Sequence, residues 1–210
     1  MKLYYFETPN ARKPCAVAKY LNSPVEFVRI DLGQGDQKQP AFLAINPNGK
    51  IPALEDGTIK LWEGHAIMAY LALKAGSDLW PRDPLDQIEV MKWLNWDTAH
   101  FSRHAGRLIF ENYLKGAFGL GEPVQSEIDD AMEFYKLFAG VLNDHLKGRD
   151  YVVGDGLTIA DFGVASFLPT ADEAKLPLEG CSEVHRWHDS MMKMDAWRAP
   201  WPDATTIAAQ

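Results

Sequence analysis

Asn46–Tyr70, NPNGKIPALEDGTIKLWEGHAIMAY, decides the fold of this chain, because it joins a turn, two strands and a helix start in one run. In Asn46-Pro47-Asn48-Gly49, Pro47 sets its own φ and Gly49 supplies a position where φ can be positive. Ile51 and Leu54 predict a short buried strand and Asp56-Gly57 a hairpin turn. Ile59 and Leu61, alternating with Thr58 and Lys60, predict a half-buried return strand. Pro52 cannot donate to a ladder, so it predicts a sheet edge or break whose free backbone groups can pair with a peptide-like ligand. After Trp62-Glu63-Gly64, the run His65–Leu73 predicts a packed helix that begins at a glycine. Free N–H groups and the positive end of the macrodipole suit a carboxylate there, and Glu63 suits an ammonium, so the pair fits an amino-acid head group. A capped β-β-α hairpin with no ligand accounts for the same turn and cap signals.

The 210 residues suffice for one large or two small domains, and 47% apolar content with seven tryptophans excludes disorder. A net charge of −8 argues against nucleic acid and anionic membrane as partners, and no run reaches the length of a spanning helix. MKLYYF is too short for a signal peptide, so a cytoplasmic location is expected. Cys15 and Cys181 show no metal or redox spacing, which fits free thiols in a reducing compartment.

Upstream, Lys2–Phe6 predicts a strand, Glu7–Asn10 a loop, Ala11–Asn22 a helix with an apolar face at Val17, Ala18 and Leu21, and Val25–Ile30 a second strand. In such a βαβ unit ligands bind at the carboxyl end of the first strand, which singles out Thr8, Pro9 and Asn10. Asp31–Gln39 reads as a loop and Pro40–Ile45 as a helical turn. The order βαβ then ββα is that of a thioredoxin-like domain, expected over 1–75. Gly76–Asp86 reads as a linker, and an all-helical domain is expected over 87–210.

Gln87–Lys115 reads as one long helix. On a wheel of about 100° per residue, Met91, Leu94, Phe101, Ala105 and Leu108 form its core face, while Trp93, Asp97, His100, His104 and Arg107 share another. That second stripe is expected to line a cleft or a subunit interface. His100 and His104 stand i, i+4, but no Glu of the H-E-x-x-H type lies between them, so no metal is expected. Gly116–Glu122 is a glycine-rich break, and Pro123–Lys147 predicts a second long helix. Thr158 and Asp161 form a capping box whose role is structural. Ser182–Lys193 predicts a last helix, with His185 and His188 at its surface, and Trp197 and Trp201 are expected to fold back over another element.

The platform, linker, long helices and TIAD box resemble the cytosolic glutathione S-transferase family over nearly the whole chain. The resemblance implies a thioredoxin-like domain that binds glutathione as co-substrate, an all-α domain that supplies the second-substrate site, and a homodimer. NPNGKIP is similar to the family's N-P-x-G-K-[VI]-P, which implies a cis Pro52, with Ile51 pairing with the cysteinyl part of glutathione. Lys50 is then expected near the glycine carboxylate, Glu63 at the γ-glutamyl ammonium, and Gln37 beside them. Where the family has Glu-Ser, this chain has Glu63-Gly64, and the serine hydroxyl bond is missing. A bond of about 1 to 3 kcal/mol corresponds to roughly ten- to a hundred-fold in affinity. Weakened binding is therefore expected, and Gly64→Ser is expected to tighten it.

The chemistry must stabilise a thiolate, because a thiol titrates near about 8.5 and only its ionised form is a strong nucleophile. Thr8-Pro9-Asn10 resembles the T-P-N of the nu-class bacterial members, which implies that Thr8 and Asn10 face the sulfur. Cys15 reads as a packing residue. The expected activity is attack by bound glutathione thiolate on a small electrophile, a peroxide or a disulfide, with no further cofactor. The other reading is a non-catalytic binding or assembly module of the same fold.

Overall fold

In the computed structural model, which describes residues 1–202, the chain divides into two compact units. The first comprises Met1–Trp80 together with the C-terminal stretch that begins at Met192, and the second is Pro81–Met191. The stretch expected to be one helical domain, 87–210, thus divides between the two units.

The first unit has a thioredoxin-like core. Its strands are β1 (Lys2–Tyr5), β2 (Glu26–Arg29), β3 (Ala53–Asp56) and β4 (Ile59–Trp62), in the order β2-β1-β3-β4. β1 and β2 pair in parallel and the others antiparallel, with Leu3 opposite Phe27 on one side and Leu54 on the other. The parallel pair is connected through helix α1 (Pro9–Tyr20), as a βαβ crossover requires. The short α2 (Pro40–Leu43) and the platform helix α3 (Gly64–Ala75) follow. α1 packs on α3, and their buried faces include Cys15, Val17, Ile67 and Leu71.

Two boundaries differ from expectation. α1 begins at Pro9 rather than Ala11, because Thr8 serves as its N-cap and proline is well suited to the first helical turn. β3 begins at Ala53, so Ile51 lies just outside the ladder.

The C-terminal tryptophans fold back as expected. Helix α11 (Asp195–Arg198) packs on α1, Trp197 is fully buried, and Trp201 stacks on Tyr5 with ring centroids 5.8 Å apart. Arg12 lies over both indoles at 5.4 and 5.7 Å and donates to the Trp197 carbonyl at 2.6 Å.

The second unit is helical: α4 (Pro84–Trp96), α5 (Ser102–Ile109), α6 (Lys115–Phe118), α7 (Gln125–His145), α8 (Ile159–Val164), α9 (Ala171–Ala174) and α10 (Ser182–Met192). The single helix expected over 87–115 is interrupted by two π turns, Asp97–Phe101 and Phe110–Leu114, closed by the bonds Ser102 N–H to Asp97 C=O and Lys115 N–H to Phe110 C=O. A π turn inserts about one extra residue and so rotates the following face by about 100°. The expected faces fail before the first π turn, where Val90, Trp93, Leu94 and Asp97 recur at helical spacing as the buried stripe and Met91 falls outside it. Met91 is 51% exposed, while Trp93 and Asp97, assigned to the polar stripe, are buried with Leu94.

The cap of α8 is complete. Thr158 Oγ1 accepts from Ala160 N–H at 3.2 Å, and Asp161 accepts from Thr158 N–H and Val152 N–H, both at 2.9 Å, and from Trp187 Nε1 at 3.1 Å. Among the described residues no helix is long and apolar enough to cross a membrane.

Candidate functional site

The start of α1 carries the expected thiolate donors. Thr8, in extended backbone conformation, accepts from Ala11 N–H and donates to the Phe6 carbonyl, each at 3.4 Å. Both bonds are long, so its half-buried hydroxyl is only loosely committed. Asn10 sits in the first turn, exposed, and no acidic residue shares that turn. The α1 dipole thus presents uncompensated positive potential to a thiolate. Glu7, immediately before Thr8, is bound by Arg29 Nε at 2.9 and 3.1 Å, so its charge is matched.

The platform is built around a residue the sequence reading passed over. Asn46 is nearly fully buried; its Nδ2 donates to the Lys50 carbonyl at 2.6 Å, and its Oδ1 accepts from Asn48 N–H at 3.0 Å. Gly49 takes φ +59°, and a Cβ there would meet the Gln37 carbonyl at 3.2 Å. This close approach brings Gln37 beside Gly49-Lys50. Gln37 Oε1 is buried with no hydrogen-bond partner among the described residues, an acceptor available to a ligand donor. Lys50 itself is exposed. Ile51, half-buried, precedes a buried Pro52 across a cis peptide, as the resemblance implies.

At the head of α3, Glu63 is the N-cap residue with φ +70°, unusual for a non-glycine, and makes no side-chain cap bond. Its carboxylate is exposed and the first-turn N–H groups are left uncapped by a side chain, as a head-group site needs.

Gly64 requires a correction. A Cβ at this position would lie 3.2 Å from the Asn10 carbonyl, 3.7 Å from Lys13 Cδ and 3.8 Å from Pro14 Cδ. Glycine here lets α3 start directly on the first turn of α1, so a serine would press on the backbone that carries Asn10. Tightening by Gly64→Ser no longer follows. The same approach brings the two helix N-termini together. Lys13, only 5% exposed, places Nζ 3.3 Å from His65 Nε2 in the same corner. Lys13 was legible only as an i, i+4 neighbour of Val17 on the buried face of α1.

The second-substrate or interface candidates lie elsewhere. Asp97 is fully buried and accepts from Ser102 Oγ at 2.6 Å, so it lines no surface of its unit. His100 stacks on Phe138 with centroids 4.6 Å apart, and His104 on Phe134 at 5.1 Å. Burial, and then Arg103, lower the His104 pKa, which keeps it neutral near pH 7. Among the described residues no group of three or more His, Cys, Asp or Glu is placed to hold a metal. Cys15 is fully buried, and burial raises its thiol far above the ordinary range, as a packing residue requires.

Family models of the glutathione S-transferase N-terminal and C-terminal domains match residues 1–73 and 101–195. Glutathione S-transferase 3 of Zea mays is 33% identical over 207 residues, covering 94% of this chain and 91% of the relative. A glutathione transferase family member from Pseudomonas fluorescens, solved with two glutathione bound, superposes with a TM-score of 0.86 at 26% identity, covering 95% and 91% of the two chains. A glutathione transferase from Burkholderia graminis, solved with two glutathione molecules per subunit, gives 0.83 at 27%, covering 95% and 86%. The matched domains together span most of the sequence, and the chain belongs to the glutathione S-transferase family.

Proposed function

We propose that this protein is a glutathione transferase that binds glutathione on the Asn46–Tyr70 platform and ionises its thiol at the start of α1. The observation that carries the reading is the approach of Gly64 to the Asn10 carbonyl, which sets two uncapped or loosely capped helix N-termini side by side. One has Glu63 for an ammonium and free N–H groups for a carboxylate. The other has the Thr8 hydroxyl and the α1 dipole for a sulfur anion. Lys50 and Gln37 serve the glycine end, and Ile51, outside the ladder, offers backbone groups to the cysteinyl part.

The mechanism needs no resident cofactor. The Thr8 hydroxyl and the Asn10 amide donate toward the sulfur, and the dipole favours its charge, so the thiolate is populated near neutral pH. It then attacks a substrate held close by: an electrophilic carbon, expelling its leaving anion as the C–S bond forms; a peroxide oxygen, breaking O–O to leave an alcohol and a glutathione sulfenic acid that a second glutathione reduces to the disulfide and water; or a disulfide sulfur, breaking S–S and releasing a thiolate. The Thr8-Pro9-Asn10 resemblance to the nu class supports disulfide or peroxide reduction among these, and family habit supports a cytoplasmic homodimer. Retention on immobilised glutathione, followed by assays with an aryl halide, a hydroperoxide and a disulfide, tests the reading. Turnover of at least one acceptor is expected. Failure to bind glutathione and to turn over all three would replace this reading with a non-catalytic module.

A further inference from the structure

We propose that Arg12 is a positioning residue for the thiol chemistry, tying the loop that carries Thr8 and Asn10 to the C-terminal stretch 197–201. The assignment rests on the glutathione reading above and adds to it a residue that acts through Thr8. Arg12 lies one turn into α1, where its N–H donates to the Thr8 carbonyl at 2.9 Å. Its half-buried guanidinium donates to the Trp197 carbonyl at 2.6 Å and lies over the Trp197 and Trp201 rings. Burial lowers its pKa, and among the described residues no carboxylate opposes its charge, so the carbonyl and the two indole faces are what hold it.

The same stretch reaches the other side of the loop. Trp201 stacks on Tyr5, the last residue of β1, with the rings 14° from parallel. The Ala199 and Trp201 carbonyls accept from Lys19 Nζ at 2.7 and 2.8 Å, which fastens the stretch along α1. Residues 6–11 are thus bracketed between Tyr5 and Arg12, two side chains held by one short segment. Inside the bracket the Thr8 hydroxyl makes two bonds of 3.4 Å, too long to fix a donor to the accuracy that a developing anion demands. Its place therefore comes from the backbone that the bracket holds. A misplacement of about 1 Å costs about 100-fold in rate, whereas Gln37, Lys50 and Glu63, proposed to bind glutathione, lie on other segments. Loss of the bracket is expected to reach ionisation of the sulfur and to leave binding in place.

The test compares wild type, Arg12→Met, Trp201→Ala and, as a control altered at the α8 cap, Asp161→Asn, with thermal melts to establish folding. In each protein the thiolate absorbance of bound glutathione is titrated. Affinity for S-methylglutathione, which has no free thiol, is measured by calorimetry. Arg12→Met is expected to move the titration up by about one pH unit, a tenfold loss of thiolate below the midpoint, with S-methylglutathione affinity kept within about twofold. Trp201→Ala keeps the Arg12 charge and is expected to move the titration the same way by less, and Asp161→Asn not at all. An unmoved titration in Arg12→Met, a shift there with none in Trp201→Ala, or an equal shift in Asp161→Asn overturns the assignment. If Arg12→Met does not fold, Trp201→Ala against Asp161→Asn decides alone. Wild type that binds glutathione and titrates no lower than the free thiol overturns the Arg12 role while leaving glutathione binding intact. Wild type that binds neither glutathione nor its S-methyl form overturns both.

Discussion

Helices α1 and α8 each begin at a threonine whose hydroxyl caps the first turn, and they are finished in opposite ways. At α8 the cap is closed: Thr158 and Asp161 bond reciprocally, and Asp161 also takes Val152 N–H and the Trp187 indole N–H, all fully buried. At α1 the cap is loose: Thr8 holds Ala11 N–H at 3.4 Å, with no acid in the first turn. The neighbouring α3 has no side-chain cap bond at all. A buried helix end left unsatisfied costs stability, so an open one facing a ligand site marks where partners come from outside. The closed cap serves folding, and in the proposed function the open caps serve chemistry.

The comparison is broken most severely at the closed end. Asp161→Ala strands three buried donors and is expected to cost about 4 kcal/mol in denaturant unfolding, each orphaned donor costing about 1 to 3. The same residue gives a pH signature. Burial, outweighing the bonds from Thr158 and Val152, raises the Asp161 pKa from 3.8 to about 6. The folded state thus holds this proton more tightly than the unfolded one. Its contribution is fully present below about pH 4 and lost as pH rises through about 6. Stability measured across that window is expected to fall less steeply in Asp161→Asn than in wild type.

Opening the loose cap further has a different effect. Thr8→Ala is expected to lower turnover by about 100-fold, as removal of one donor from a developing anion does. Its thiolate absorbance titration should move to higher pH, while unfolding changes by under about 1 kcal/mol, because the lost cap bond is long. A large stability loss with unchanged thiol titration would make Thr8 a second structural cap. Smaller again is Gly64→Ser, expected to destabilise by about 1 to 2 kcal/mol through pressure on the Asn10 carbonyl and to leave glutathione affinity no tighter. The smallest effect is expected from Trp201→Ala. It removes a stack on Tyr5 worth about 0.5 to 1.5 kcal/mol and one face of Arg12, read as a lowered melting temperature.

Much of this contrast was legible residue by residue. Thr158 and Asp161 announce a capping box because that spacing puts each side chain on the other's backbone N–H. The platform's turn, hairpin and helix start follow from Gly49, Asp56-Gly57 and Glu63-Gly64, whose conformational needs are local. The long helix misled because a π turn leaves no local residue signature. Asp97 misled separately, because it continues the buried stripe of Val90, Trp93 and Leu94, and a carboxylate on such a stripe reads as surface until its bond from Ser102 Oγ is seen. Gly64 misled for a related reason: read along the chain it was a missing hydroxyl, and read across the fold it is a contact distance.

The sequence by itself determined most of the elements, their order and the family resemblance, and it nominated Thr8 and Asn10 as thiolate donors, since these depend on neighbours within a few residues or on a motif carried as a unit. Only the tertiary structure decided that Lys13 meets the start of α3, that Asn46 braces Lys50, that the stretch from Met192 joins the first unit, and that Asp97 is buried. The Lys13 and Met192 placements are approaches between segments distant in the chain, while the Asn46 bond and the Asp97 burial are local but depend on which side of the turn or helix the fold covers. The physical reason is that a side chain's local pattern fixes its direction from its own helix or strand, while its partner is fixed by which other backbone comes within bonding distance.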